Sequence, residues 1–127
     1  PHPACLCAGA GWTLIYNDAH AALIGARHPA ALGRDPREAV PEADAATLAR
    51  AFAGEALALA DQPRPLLCGA AGPAWFDITC TPIRDEAGAV LAVMVLHRET
   101  TGRVLAKAAR EGLRRVHPFV LRVTVSL

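Results

Sequence analysis

Residues 74–98 read AWFDITCTPI (74–83), RDEAG (84–88) and AVLAVMVLHR (89–98), two strand-forming runs on either side of a polar break. In the first run Phe76, Ile78 and Cys80 share one side and Trp75, Asp77 and Thr79 the other, the period of two of a half-buried strand. The break ends in Gly88, which can take the positive φ that a tight hairpin connection needs. The two runs are therefore expected to be antiparallel neighbours. The second is apolar on both sides from Ala89 to Leu96, the pattern of a central strand covered from both faces.

Upstream, Leu57 to Cys68 reads as a further strand, and Pro63 and Pro65 confine it to a sheet edge or break it in two. Before it, Ala45, Leu48, Ala49, Phe52 and Ala53 recur at helical spacing and Gly54 follows as a stop. Nearer the start, Trp12, Leu14 and Tyr16 alternate with Thr13, Ile15 and Asn17 as a strand does. Asn17-Asp18 supplies a helix N-cap for Ala19 to Ile24, which Gly25 closes. Downstream, Val104 to Val116 reads as a helix with Leu105, Ala109, Leu113 and Val116 in one stripe, ended by His117-Pro118. Phe119 to Leu127 alternates, and a terminal strand is expected there.

With 127 residues the chain has room for one hydrophobic core. Twenty-eight alanines make much of its 53% apolar content methyl groups rather than bulk. Thirteen basic against 12 acidic residues give +1, so no global field favours nucleic acid or an anionic membrane. The charge is unevenly spread: residues 1–101 hold 7 basic and 11 acidic groups, residues 102–127 hold 6 and 1. No apolar run approaches the roughly 20 residues of a membrane-spanning helix. The opening Pro1-His2-Pro3-Ala4-Cys5 lacks the charged and apolar regions of a signal peptide, so a cytoplasmic setting is expected, for a whole chain or for a piece of a longer protein. Cys5, Cys7, Cys68 and Cys80 are then expected as free thiols.

Several words in fixed order resemble one family. Tyr16-Asn17-Asp18-Ala19, Leu23, Gly25 and His28-Pro29-Ala30-Ala31-Leu32-Gly33 resemble the opening of PAS domains of bacterial sensor histidine kinases. Asp61-Gln62, Pro65-Leu66, Trp75-Phe76 and Thr81-Pro82-Ile83-Arg84-Asp85 with Gly88-Ala89-Val90 resemble that family's third to fifth strands. Glu99-Thr100-Thr101-Gly102-Arg103-Val104-Leu105-Ala106 resembles its exit signature. The resemblance runs from Gly11 to Lys107, and the tail from Arg114 departs from it. It implies an α+β fold of the PAS type: a five-stranded antiparallel sheet, short helices packed on one face, and a C-terminal amphipathic helix. The implied division is an N-terminal flank (1–10), a PAS sensor domain (11–101), and an exit helix with its tail (102–127).

The same resemblance implies a small cavity lined by Tyr16, Asn17, Leu23, Phe52, Phe76, Ile78, Met94 and His97, with Ala49, Ala53 and Cys80 leaving room. Asn17, Arg64 or His97 would be its polar anchors. The alternative is that these side chains fill a solid core. Glu99, Thr100 and Thr101 are the expected signalling residues, Glu99 by pairing with an arginine and a threonine by capping the exit helix. No catalytic residue is expected: Asp18 with His20, or Asp77 with His97, would be an acid and base pair without a nucleophile motif or a phosphate-binding loop. No haem, flavin or metal is expected as a cofactor, only a small organic ligand. The flavin word Asn-Cys-Arg is absent, 43–54 holds no axial His, and His2, Cys5 and Cys7 with Cys68 or Cys80 fit no zinc spacing. The N-terminal thiols are expected to be loosely packed. The expected partners are a second copy, through the sheet's outer face and Val104 to Val116, and a downstream kinase or other output domain; neither nucleic acid nor a membrane span is expected. The sensor domain of a transcriptional regulator, or a small α+β enzyme, is the alternative.

Overall fold

The computed structural model describes residues 2–40, 44–65 and 73–112. Its elements are β1 (Ala4–Ala8), β2 (Thr13–Tyr16), α1 (Asp18–Ile24), α2 (Pro36–Ala39), α3 (Ala45–Phe52), β3 (Leu57–Pro65), β4 (Pro73–Arg84), β5 (Val90–Glu99) and α4 (Thr101–Gly112). The five strands form one antiparallel sheet in the order β2-β1-β5-β4-β3. The expected PAS-type architecture is observed. Continuation of the last helix to Val116 and a strand over 119–127 lie outside the described residues, as does Cys68.

Local chemistry accounts for the joints. The β4–β5 hairpin closes through Asp85, whose carboxylate Oδ1 accepts from Ala87 N and Ala89 N at 2.9 Å each, while Gly88 takes φ +88°. Asn17 caps α1, its Oδ1 accepting from His20 N at 2.9 Å. Asp44 caps α3 by accepting from Thr47 N at 3.1 Å and from the Thr47 hydroxyl at 2.6 Å. β3 is an edge strand, as its prolines require, and it bulges between Leu59 and Gln62, where Asp61 has φ +49°.

Four expectations are corrected. The flank 1–10 contains β1, which lies between β2 and β5; its five residues, Ala-Cys-Leu-Cys-Ala, are too short and too small-chained to register as a strand pattern. Cys5 and Cys7 are consequently buried core residues rather than loosely packed thiols. β5 is central but covered on one face only. Val93, Val95 and His97 are buried on the inner face, whereas Leu91, Met94 and Leu96 on the outer face are 51%, 40% and 42% exposed. The α3 stripe is also rotated from expectation: Leu48 and Ala51 are buried, and Ala49 and Ala53 are exposed.

The core sits between the inner face of the sheet and the helices. Cys7, Leu14, Phe76, Ile78, Cys80, Val93 and Val95 from the strands meet Ile24, Val40, Leu48 and Ala51 from the helical side. At its edge Trp12, at φ +52°, stacks on Phe52 with ring centroids 4.8 Å apart, and the Arg37 guanidinium lies 3.9 Å from the Trp12 ring centre. No helix among the described residues is long and apolar enough to cross a membrane.

Candidate functional site

A cavity of about 130 Å³ lies between the inner face of the sheet and α1, α2 and α3. Leu14, Leu23, Ile24, Val40, Leu48, Leu59, Ile78 and Val95 give it an apolar wall, and the thiols of Cys5, Cys7 and Cys80 keep that wall thin. Its polar groups are His20, His97, Asp44, Thr47 and Arg64.

Two imidazoles define its chemistry. α1 carries His20 on the same face as Leu23 and Ile24, the i, i+3, i+4 relation, and β5 carries His97 opposite Ile78 of β4. Both are 8% exposed, and their ring centroids are 5.5 Å apart. The Phe76 ring stands edge-on to His97 at 5.7 Å, and Tyr16 lies 5.3 Å from His20. Burial lowers the pKa of His20 to about 4, with the charge of His97 acting the same way. Burial also brings His97 to about 4; the Pro3 carbonyl opposes the change and Arg64 adds to it. Nδ1 of each ring is buried with no hydrogen-bond partner among the described residues. Burial likewise raises the Cys80 thiol, and a bond to Cys7 together with burial raises Cys5, so these thiols act as small apolar groups. Among the described residues no three His, Cys, Asp or Glu side chains converge as metal ligands.

Of the residues expected around the cavity, Leu23, Ile78 and His97 line it, together with Arg64 and Cys80. Phe76 lies just behind, against His97. Met94 does not line it, because the parity of β5 turns it outward beside Leu6 of β1 and Thr81 of β4. Phe52 is drawn away by its stack on Trp12. Tyr16 points its hydroxyl at His28 Nδ1, 2.7 Å away. Asn17 is a structural tie: its Oδ1 accepts from Ala4 N as well as His20 N, and its Nδ2 donates to His2 O at 2.9 Å. His20 and Leu48, absent from the expected lining, each sit at helical spacing from another lining residue. That periodicity was the available signal. The acid and base pairs do not form. Asp77 and His97 point to opposite faces of the sheet, and Asp18 is exposed while His20 is buried.

On the outer face a second cluster holds the start of α4. Asp77 Oδ2 accepts from Arg98 Nη2 at 2.7 Å, and its Oδ1 accepts from Arg103 Nη2 and from Asp61 N, both at 3.0 Å. Arg103 Nη2 also donates to Asp61 Oδ1 at 2.6 Å. The Arg98 bond, then the Asp61 N–H and the nearby guanidinium charges, hold the Asp77 carboxyl below its ordinary range; the Arg103 bond does the same for Asp61. Thr101 Oγ1 accepts from Trp75 N at 3.0 Å instead of capping the helix, and Thr100 N donates to Trp75 O at 2.7 Å. Glu99 is exposed and makes no ion pair among the described residues. The expected role of Glu99 as the charged contact therefore falls to Asp61, Asp77 and Arg103. Asp61 and Arg103 are 42 residues apart, and no local pattern joins them.

Over residues 1–105 the sequence matches the family model described as PAS fold. A comparison with curated proteins returned no match. Among solved structures, an RNA-binding light-oxygen-voltage receptor superposes with a TM-score of 0.62 at 20% identity, covering 91% of this chain and 35% of that one. A sensory box sensor histidine kinase from Vibrio cholerae gives 0.57 at 16%, covering 80% and 83%. A Vibrio cholerae VqmA dimer, described among LuxR-type receptors, gives 0.59 at 21%, covering 81% and 48%. The chain thus spans about a third of the first of these structures and about half of the VqmA chain. At such identities the likeness is one of fold. The family match over 1–105, together with the five-stranded sheet and its outgoing helix, shows that the chain belongs to the PAS fold family of sensory domains.

Proposed function

We propose that the chain is the sensory module of a bacterial sensor histidine kinase, receiving a small organic molecule in the cavity and relaying its presence through α4. The observation that carries this reading is that β4 and β5 serve both places. Ile78 and His97 pair across them toward the cavity, and the adjacent pair Asp77 and Arg98 faces the cluster that holds α4. In this reading the sensory body ends at Thr101 and 102–127 is the exit segment. The module is cytoplasmic, has no catalytic activity of its own, takes no haem, flavin or metal, and makes no contact with nucleic acid. It works as a homodimer through the apolar outer face around Ile15, Met94 and Leu96, which are 49%, 40% and 42% exposed.

Native mass spectrometry of gently purified protein tests the sensory reading: a retained small-molecule mass supports it, and a bare chain, or one that carries a haem or flavin mass with the matching absorbance band, overturns it. The likeness to VqmA supports a second reading, in which the output is a DNA-binding domain. The coding sequence beyond residue 127 separates the two. A phosphoacceptor helix followed by an ATP-binding domain supports the kinase, and a DNA-binding domain overturns it in favour of the regulator.

A further inference from the structure

We propose that the cavity selects an uncharged, single-ring molecule bearing a hydroxyl group, which His20 and His97 hold between them. This rests on the ligand-receiving reading above and names the chemistry of that ligand. Size comes first. An apolar cavity of about 150 Å³ takes benzene, and the cavity here, about 130 Å³, leaves room for one ring and few further atoms.

Charge comes second. The burial that keeps both imidazoles neutral at pH 7 penalises any ion brought beside them. Asp44 and Arg64 border the cavity with opposite signs, so neither an anion nor a cation gains a net field there. Cys5, Cys7 and Cys80, the other titratable groups on the wall, are thiols.

Polarity comes third. Two Nδ1 atoms on residues only 8% exposed lack partners among the described residues, and unmet buried polar atoms are uncommon in folded proteins. A neutral imidazole has one donor and one acceptor nitrogen, and a hydroxyl both donates and accepts. One hydroxyl placed between rings 5.5 Å apart can therefore serve both when at least one Nδ1 carries its ring's proton, since it donates once and accepts twice.

NMR titration of the full chain at pH 7.5 with phenol, toluene, benzoate and benzylamine, four probes of similar size, tests the inference. Phenol is expected to bind at least tenfold more tightly than the other three. His97→Leu and His20→Leu should each bring phenol down to the affinity that toluene has in the same variant. Toluene binding as tightly as phenol in the unaltered protein would overturn the role of the imidazoles. Tighter binding of benzoate or benzylamine would overturn the absence of charge. Either result leaves the ligand-receiving reading standing, whereas failure of every probe to bind overturns both. Should the leucine variants not fold, the imidazole nitrogen resonances of the unaltered protein decide: phenol must shift those of both His20 and His97, and a titration that moves neither sinks the inference.

Discussion

Acidification should unfold this domain well before its carboxylates titrate. His20 and His97 have pKa values near 4 in the folded chain, against about 6.5 when exposed. Their contribution to stability is therefore complete above pH 6.5 and is lost as the pH falls toward 4, because the unfolded chain takes up protons that the folded one refuses. A lowering of that size corresponds to about 3 kcal/mol per imidazole, or about 6 kcal/mol for the pair, comparable to the whole stability of a small domain. Near pH 5 the unfolded imidazoles are charged and the folded ones neutral, so stability should fall by roughly 2–3 kcal/mol per pH unit. The groups around them sharpen the effect: Arg64 disfavours a charge on His97, and the charge of His97 disfavours one on His20. Asp35 and Asp44, whose carboxyls are held low by Arg37 and Thr47, lose their contribution only below the ordinary carboxylate range. Urea unfolding followed by Trp12 and Trp75 fluorescence at pH 7.5, 6.5, 5.5 and 5.0 measures the slope. The doubly substituted His20→Leu, His97→Leu protein should show a nearly flat profile over the same range. An unchanged midpoint between pH 7.5 and 5.0, or the same slope in the double variant, would refute the argument.

Three further outcomes are expected. Asn17→Ala removes an acceptor shared by Ala4 N and His20 N and the donor to His2 O, and should cost about 2 kcal/mol in urea unfolding, most of it restored at the acceptor by Asn17→Asp. Arg103→Gln should speed amide hydrogen exchange in α4 while leaving β4 and β5 protected, and raised salt should do the same to the unaltered protein, since the ion pairs are exposed. Met94→Glu with Leu96→Glu should convert a dimer into a monomer in sedimentation at tens of micromolar without changing thermal stability by more than a few degrees; an unaltered protein that sediments as a monomer removes the outer face from the interface.

What the sequence made legible follows from the range over which each signal acts. The β4–β5 hairpin and the Asn17 cap were readable because each depends on neighbours within a few residues, and Phe76, Ile78 and Cys80 were readable because β4 alternates. β5 defeated the same logic: with Val93, Met94, Val95 and Leu96 in a row, hydrophobicity carries no parity, and Met94 could be assigned to either face. The register to β1 is what turns it outward, and β1 itself, with two cysteines and two alanines in five residues, gave no pattern to read. Phe52 left the cavity because Trp12 offered it a stacking surface, a contact across 40 residues that no periodicity encodes. The Asp61–Asp77–Arg103 cluster is of the same kind, assembled by a bulge in β3 whose place depends on pairing with β4.

The chemistry of that cluster bears on how a small ligand could move α4. A ligand shifts an equilibrium only by the difference in its affinity for the two states, and a benzene-sized molecule has little binding energy to distribute. A helix seated in a buried apolar groove would resist such a ligand. α4 has no buried residue among those described, and its start is held by Arg103, 53% exposed, on Asp61 and Asp77, together with the Thr100 and Thr101 bonds to Trp75. Exposed ion pairs contribute little net stability, so breaking them costs the seated helix little. Asp77 supplies the direction. Its carboxylate takes Arg98, Arg103 and the Asp61 amide at once, and its backbone is one residue from Ile78, which faces the cavity. In the proposed sensory reading, an entering ring that displaced the Ile78–His97 pair would move the strand that positions this carboxylate, and the exposed ion pairs at the helix start are the contacts such a displacement would redirect.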